Sequence, residues 1–229
     1  MLIEYYGHSC FRIKDFHDTG YKIVVDPYTN GVVPGLKPLP DDLTANVILC
    51  SHQHEDHNGV SGVKLVEFEE GESPFIIDKI ESFHDDEKGA KRGNNTIYIM
   101  TLKKTGQKVI HYGDLGEKID DLLTPENLAK LEGADYALVP VGGVYTIDAD
   151  QALELIDRTK PKMAIAMHYR SNSYKCGYSN ISTDEDFLIR GMETCHNVQF
   201  GRFSFIDTEE DVLPYELMSL KPECSIVNK

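Results

Sequence analysis

The amino-acid sequence predicts an α/β protein in which helices cover packed β-sheets. Two patterns lead to this prediction: short apolar segments separated by turn residues fill the first half of the chain, and strands alternate with helices in the second half. In addition, histidine and aspartate residues directly follow several of the apolar segments. No Pro-, Gly- or Ser-rich linker divides the 229 residues, so we expect a single domain over 1–229.

The strands predicted in the first half share short apolar runs that are bounded by turn residues. Segment 16–20 is predicted to be a turn, Pro27 ends the third strand, and 104–107 forms a hairpin turn between the last two strands. The run at 47–50 is typical of a strand that is buried on both faces. The predicted strands cover residues 2–6, 10–14, 22–26, 47–50, 75–83, 96–102 and 108–112.

In the second half, N-cap residues and the spacing of apolar residues predict three helices. Thr124 caps the first helix, and Asp148 caps a second helix that Pro161 ends. Either Ser182 or Thr183 caps the third. Apolar runs predict the intervening strands at 136–141, 163–167 and 198–206.

Composition and charge exclude several classes of protein. The formal net charge of −15 opposes a surface for long nucleic acids, because such binding depends on cations that neutralise phosphates. No run approaches the roughly 18 consecutive apolar residues of a membrane span, and the first residues resemble no secretion signal. The five cysteines are widely spaced and form no Cys-x-x-Cys pair, so we expect reduced, buried thiols in a cytoplasmic protein. The oligomeric state is left open.

Segment 49–59, with the sequence LCSHQHEDHNG, places three histidines and an aspartate within six residues after an apolar strand. If the strand geometry persists, His52 and His54 point to the same face and can bind one ion. Asp56 and His57 precede an Asn-Gly turn and can be directed to a second ion. Imidazole and carboxylate suit zinc and other first-row divalent metals. The alternative, a solvated loop that is rich in histidine by chance, does not explain this spacing behind a strand.

Further candidate ligands stand at the ends of other predicted strands. His84 and His168 each follow an apolar strand directly, and Asp114 follows one through Gly113. A carboxylate at position 114 could bridge two cations with its two oxygens. The alternatives are a capping or surface role for His84 and an ordinary Asx turn at Asp114.

Three residues are predicted to support the metal ligands rather than to bind metal. Asp26 could orient a ligand histidine through a hydrogen bond, or it could only cap a turn. His8 could support the site or close the turn between the first two strands. His111 is predicted to be structural, because the alternation of the strand points it away from the face of Tyr112. Two histidines in polar turns are predicted to be surface residues, namely His17 and His196.

Together these residues resemble the metallo-β-lactamase superfamily, whose His-x-His-x-Asp-His motif stands at 52–57. The sequences GHSCF at 7–11, GG at 142–143 and MHY at 167–169 are similar to a short branch that includes ascorbate-6-phosphate lactonase-like and uncharacterised metal-dependent hydrolases. The resemblance implies an αββα sandwich with two metals at one edge of the sheets. It also implies one metal site of His52, His54 and His84, a second of Asp56, His57 and His168, and Asp114 shared between them.

The activity that we expect is that of a metal-dependent hydrolase. A hydroxide bridged by two divalent cations would cleave a small ester, lactone or phosphodiester, while Asp56 or Asp114 accepts a proton. Zinc is expected first, with manganese or iron(II) as alternatives. A non-catalytic metal-binding regulatory or interaction protein is the second hypothesis; it is less favoured because a closed structural zinc site needs only four ligands.

The substrate is expected to be a small molecule. If it carries an anionic group, residues of the loops around the metals are expected to bind that group. The alternative is that the charged segment 85–92 is only solvated. The short segment after His57, which contains Gly59 and Gly62, predicts that the helix usual at this place is truncated. The candidate substrate contacts are Lys91, Arg92, Asn94, Asn95, Tyr145 and Arg170.

Overall fold

The structure is a computed structural model that describes residues 1–69, 71–201, 203–209 and 214–226. In these ranges no helix has the length and apolar run needed to cross a bilayer. The strands are β1 (Leu2–Gly7), β2 (Cys10–Lys14), β3 (Lys22–Val25), β4 (Thr44–Ala45), β5 (Val47–Leu49), β6 (Lys64–Leu65), β7 (Phe75–Phe83), β8 (Asn94–Leu102), β9 (Lys108–His111), β10 (Tyr136–Pro140), β11 (Met163–Met167), β12 (Val198–Gln199), β13 (Phe205–Asp207) and β14 (Leu217–Met218). The helices are α1 (Ile119–Leu122), α2 (Pro125–Leu131), α3 (Ala149–Thr159) and α4 (Asp184–Glu193), with a 3₁₀ turn at Val60–Gly62.

The strands form two main sheets and a small β4–β6 pair. The first sheet has the order β13-β1-β2-β3-β5, and the second has the order β12-β14-β11-β10-β9-β8-β7. In the second sheet, the strands from β12 to β9 are parallel, and β8 runs antiparallel to both β9 and β7. Consequently β7, β9 and β11 all point the same way, and their carboxyl ends meet at one edge of the sheet.

The two sheets pack against each other around one hydrophobic cluster. This cluster joins Ile13 and Val25 of the first sheet to Ile97 and Val109 of the second. Helix α4 contacts β11, β12 and β14 and also packs on α3, so helices cover the second sheet. On the opposite face of the first sheet, Val24 packs with side chains of the irregular segment between β3 and β4. The predicted α/β sandwich is confirmed.

The helix starts follow from side-chain caps. Thr124 accepts a hydrogen bond from the backbone N–H of Asn127 at the start of α2. Asp148 and Thr183 each form a capping box at the starts of α3 and α4, so the cap of the third predicted helix is Thr183 rather than Ser182. After His57 only the 3₁₀ turn Val60–Gly62 forms, which is the truncation that the sequence predicted.

Three sequence-based predictions are wrong. The strand predicted at 198–206 is two short strands, because β12 pairs with β14 in one sheet and β13 pairs with β1 in the other; position 202 lies outside the described residues. The strand at Val47–Leu49 is half-buried, since it lies at the edge of the first sheet. Not all thiols are buried: Cys195 is exposed and Cys50 is half-buried, although all five are free.

Candidate metal centre

The predicted metal ligands meet where strands of both sheets end. His84 follows β7, Asp114 follows β9 and His168 follows β11, and these three strands end at the same edge of the second sheet. The segment that carries the histidine motif follows β5 at the end of the first sheet. The backbone N–H of His168 donates to the carbonyl oxygen of His8, which ties the β1–β2 turn to the end of β11.

Asp114 lies at the centre of this arrangement. Its Oδ2 atom is 3.2 Å from the Nε2 atoms of His57, His84 and His168, and 3.8 Å from Nε2 of His52. The Asp114 side chain is 2% exposed. A single buried carboxylate oxygen therefore faces four imidazole nitrogens.

The donor atoms form two groups on either side of Asp114. In each group, one ligand atom per residue lies within 4.8 Å of all the others. The first donor group is His52, His54 and His84. The second donor group is His8, Asp56, His57 and His168. A third set, His52, His57 and Asp114, connects the two groups.

Unpartnered polar atoms point to ions at this place. Nε2 of His52, Nε2 of His57 and Oδ1 of Asp114 are buried without a hydrogen-bond partner among the described residues. Leaving a buried polar atom unpaired costs about 1–3 kcal/mol. Divalent cations between these atoms would satisfy all three, and imidazole and carboxylate are suitable ligands for zinc. The residues present therefore fit a metal centre.

Asp26 fixes the orientation of two imidazoles. Its carboxylate accepts hydrogen bonds from the backbone N–H and the hydroxyl of Ser51, both at 2.6 Å, and from Nδ1 of His57 at 2.8 Å. Because the Ser51 proton goes to Asp26, the Ser51 oxygen accepts from Nδ1 of His52 at 2.9 Å. Both histidines are therefore oriented with a proton on Nδ1 and with Nε2 towards the centre, so that Nε2 could bind a metal once the second proton of His57 has left.

Burial and charge set the protonation of the centre. Burial lowers the pKa of His52 to about 3, which leaves a neutral imidazole. Burial also lowers the pKa of His57, but the carboxylates of Asp114 and Asp26 outweigh it and hold that pKa well above its ordinary value. Burial raises the pKa of Asp114, but His168 and His57 outweigh this effect and hold it well below its ordinary value. Asp114 is thus ionised, and an incoming cation would displace the proton on His57.

His111 and His8, which were predicted to support the metal ligands, differ in their hydrogen bonds and in their distance from the donor atoms. Nε2 of His111 donates to the carbonyl oxygen of Ser9 at 2.9 Å, and its Nδ1 accepts from the Gly113 N–H at 3.1 Å, so neither nitrogen is free for a metal. His8 lies within the second donor group, and its Nε2 donates to Oδ2 of Asp56 at 3.1 Å, so it can support that carboxylate. His8 has a φ of 56°, a left-handed conformation that costs a non-glycine residue about 1–2 kcal/mol.

The turn into Asp114 requires a glycine. Gly113 has a φ of 58°, and a Cβ atom there would lie 2.3 Å from Oδ1 of Asn95 and 2.5 Å from Cβ of Ser51. The same Asn95 oxygen accepts the Asp114 N–H at 2.9 Å. Asn95 is fully buried, so it positions Asp114 and is not a substrate contact as the sequence suggested.

A cavity of about 340 Å³ opens onto the centre. Of the predicted substrate contacts, Arg92 and Tyr145 line it. Lys91, Asn94 and Arg170 are not among the described residues that line it. Lys91 pairs instead with Asp86 and Glu87, Asn94 begins β8 on the surface, and Arg170 bonds to Asn172 and to the Ile181 carbonyl.

Tyr178 also lines the cavity, and the sequence did not single it out. Its hydroxyl donates to Oδ2 of Asp56 at 3.2 Å, across 122 positions of the chain. The residue lies in a loop without periodicity or motif, so no signal in the sequence marks it. His17 is exposed and His196 half-buried, away from the centre, where they contact Asp207 and Asp157.

Comparison with known proteins adds three findings. Residues 2–168 match the model of a family described as the beta-lactamase superfamily domain. A UPF0173 metal-dependent hydrolase of Carboxydothermus hydrogenoformans is 30% identical over 203 residues, which cover 75% of this chain and 85% of that protein. A UPF0173 metal-dependent hydrolase of Thermoplasma acidophilum is 29% identical over 201 residues, with coverages of 75% and 84%.

The fold is also similar to solved structures. A structure from Thermotoga maritima in the metallo-beta-lactamase superfamily has 27% sequence identity and a TM-score of 0.67, and the match covers 96% of this chain and 97% of that chain.

Proposed function

The chain belongs to the metallo-β-lactamase superfamily and is a metal-dependent hydrolase, and we propose that two divalent cations bound at its centre serve the cleavage of a small ester, lactone or phosphodiester. The observation that carries this proposal is the convergence of four imidazoles on one carboxylate oxygen of Asp114. The first donor group would hold one cation and Asp56, His57 and His168 the other, with Asp114 near both sets of ligands.

An open cavity favours catalysis over a purely structural metal site. A structural zinc site is closed by four protein ligands, whereas a catalytic site keeps a position open for water or substrate. Here His54 is exposed and lines the cavity, together with Asp56, Asp114 and His168. The five imidazoles and two carboxylates suit zinc first, with manganese and iron(II) as alternatives.

The bound cations would supply an activated water molecule and polarise the scissile carbonyl or phosphoryl oxygen. Hydrolysis would join the oxygen of a water molecule to the carbon or phosphorus of the substrate and would break the bond from that atom to the leaving oxygen. We propose that the Asp114 carboxylate accepts the proton that the attacking water loses, because its buried Oδ1 has no hydrogen-bond partner among the described residues. That proton would then pass from Asp114 to the leaving oxygen; Asp56, whose carboxylate also lines the cavity, is the alternative acceptor.

Metal analysis and activity test this proposal together. We expect the gently purified chain to hold close to two divalent ions, and we expect His54→Ala to lose one of them together with activity. His196→Ala is the matched control, because that histidine lies away from the centre. Protein that holds no metal after supplementation contradicts the proposal.

A substrate panel separates the enzyme from a non-catalytic metal-binding protein. Lactones and bis-aryl phosphates are assayed with zinc, manganese and iron(II) in turn. Absence of turnover in fully loaded protein favours the non-catalytic hypothesis. The cytoplasmic location, the single domain and the exclusion of long nucleic acids stay predictions.

A further inference from the structure

The guanidinium group of Arg92 is unusual among the arginines that the structure describes. Arg12 pairs with Glu4 at 2.6 Å, Arg158 with Asp120 at 2.7 Å and Arg190 with Asp150 at 2.7 Å. Arg170 makes no ion pair, but its guanidinium donates to Asn172 and to the Ile181 carbonyl oxygen. The Arg92 guanidinium has no carboxylate within 4.0 Å and no hydrogen-bond acceptor in the described part of a chain whose net charge is −15. Its donors are therefore free for an anion from outside the protein.

The surrounding residues hold Arg92 in place. The Asp85 carboxylate accepts four backbone N–H groups of the following loop, including that of Arg92 at 2.7 Å. The Arg92 guanidinium carbon lies 5.4 Å from the centre of the Tyr145 ring, within the range of a cation–π contact. The Tyr145 hydroxyl in turn accepts from Nδ2 of Asn180 at 2.7 Å. A cation fixed in this way loses little entropy when it binds a ligand.

Arg92 stands between two cavities. It lines the cavity at the metal centre and also an adjoining polar cavity of about 190 Å³, and the two share His84 and Tyr145. Among the described residues that line either cavity, Arg92 is the one lysine or arginine. The acids of the adjoining cavity are engaged, Asp85 by backbone N–H groups and Asp86 by Lys91 at 3.2 Å, so they leave Arg92 unneutralised.

We propose that Arg92, stacked on Tyr145, binds a carboxylate or phosphate of the substrate that is separate from the scissile group. This inference rests on the proposed function and deepens it, since it defines the substrate as an ester, lactone or phosphodiester with a second, non-reacting anion. Arg92 makes no ion pair with Asp56 or Asp114, the carboxylates at the metal centre, so it lies outside the contacts that hold the metals. The planar guanidinium presents five N–H donors that match carboxylate or phosphate oxygens in pairs.

The test compares three p-nitrophenyl esters of similar length on metal-loaded protein: the neutral valerate, the glutarate monoester and the 4-phosphonobutyrate. We expect Arg92→Gln to lower kcat/KM about tenfold or more for at least one anionic ester and less than about twofold for the neutral one. The anionic ester with the larger loss identifies the bound group. Arg92→Lys should recover part of the loss. An equal fall on all three esters, or no fall, overturns the proposal.

Arg158→Gln is the matched control. It makes the same substitution at an arginine that pairs with Asp120 and Glu154 on the surface and lines neither cavity, and we expect it to change no ester's turnover by more than about twofold. If wild-type protein turns over none of the esters, the failure concerns the hydrolase proposal. Calorimetric titration with monomethyl glutarate and phenylphosphonate then decides the inference: binding that Arg92→Gln weakens and Arg158→Gln preserves supports it, and equal or undetectable binding contradicts it.

Discussion

Both donor groups line the cavity, the first through His54 and His84 and the second through Asp56 and His168, but they differ in their hydrogen bonds. His54 of the first group is exposed and makes no side-chain hydrogen bond to a described residue. In the second group, Asp26 holds His57, and both His8 and Tyr178 donate to Asp56. The difference indicates that the chain preforms the position of the second ion more firmly than that of the first.

The largest expected effect comes from the residue that both groups share. Asp114→Asn keeps the shape of the side chain but removes its charge. We expect kcat/KM to fall about a thousandfold, the scale of losing a principal electrostatic group of a catalytic site, and both ions to bind more weakly. Asp157→Asn is the control, since that carboxylate is 62% exposed on α3. If the Asp114→Asn variant loses only one of the two ions, Asp114 is not a ligand that both ions share.

The unfolding free energies of two variants, each lacking one histidine of a different donor group, test this difference. His57→Ala leaves the buried Asp26 carboxylate without its imidazole partner, so we expect the metal-free protein to lose about 3 kcal/mol of unfolding free energy. His54→Ala, at an exposed position, should change it by less than about 0.5 kcal/mol. Urea denaturation of both metal-free variants measures the difference. Similar losses in the two variants contradict the idea that the second group is preformed more firmly than the first.

A smaller effect is expected from residues that orient ligands without binding metal. Asp26→Asn disturbs both His57 and, through Ser51, His52, so we expect both ions to bind about 10–100-fold more weakly. Ser51→Ala acts on His52 alone and should weaken chiefly the first ion. Titration with a competing chelator gives the two affinities. If Ser51→Ala weakens the binding of both ions equally, the effect of Ser51 does not pass through its hydrogen bond to His52 alone.

The sequence could predict the strand-end ligands because their positions follow from local rules. His84 and His168 directly follow apolar strands, and parallel strands place their ends at one edge of a sheet. Tyr178 could not be predicted, since only the tertiary fold brings its loop to Asp56. The contacts of Arg170 could not be predicted either, because charge alone does not show that its guanidinium bonds to Asn172 and to the Ile181 carbonyl rather than lining the cavity.

The pairing of short strands was beyond sequence reasoning for a different reason. β12 and β13 belong to different sheets, although one apolar run suggested a single strand over 198–206. Two or three residues carry too little periodicity to indicate which partner they pair with. The two-residue strands β4, β6 and β14 were not predicted for the same reason.

The number and place of the metal ions can be measured by anomalous diffraction from crystals of zinc-loaded protein. We expect two zinc peaks about 3.5–4 Å apart, one within bonding distance of His52, His54 and His84 and the other of Asp56, His57 and His168, with Asp114 in contact with both. A single peak, or zinc bound away from these residues, would contradict this expectation.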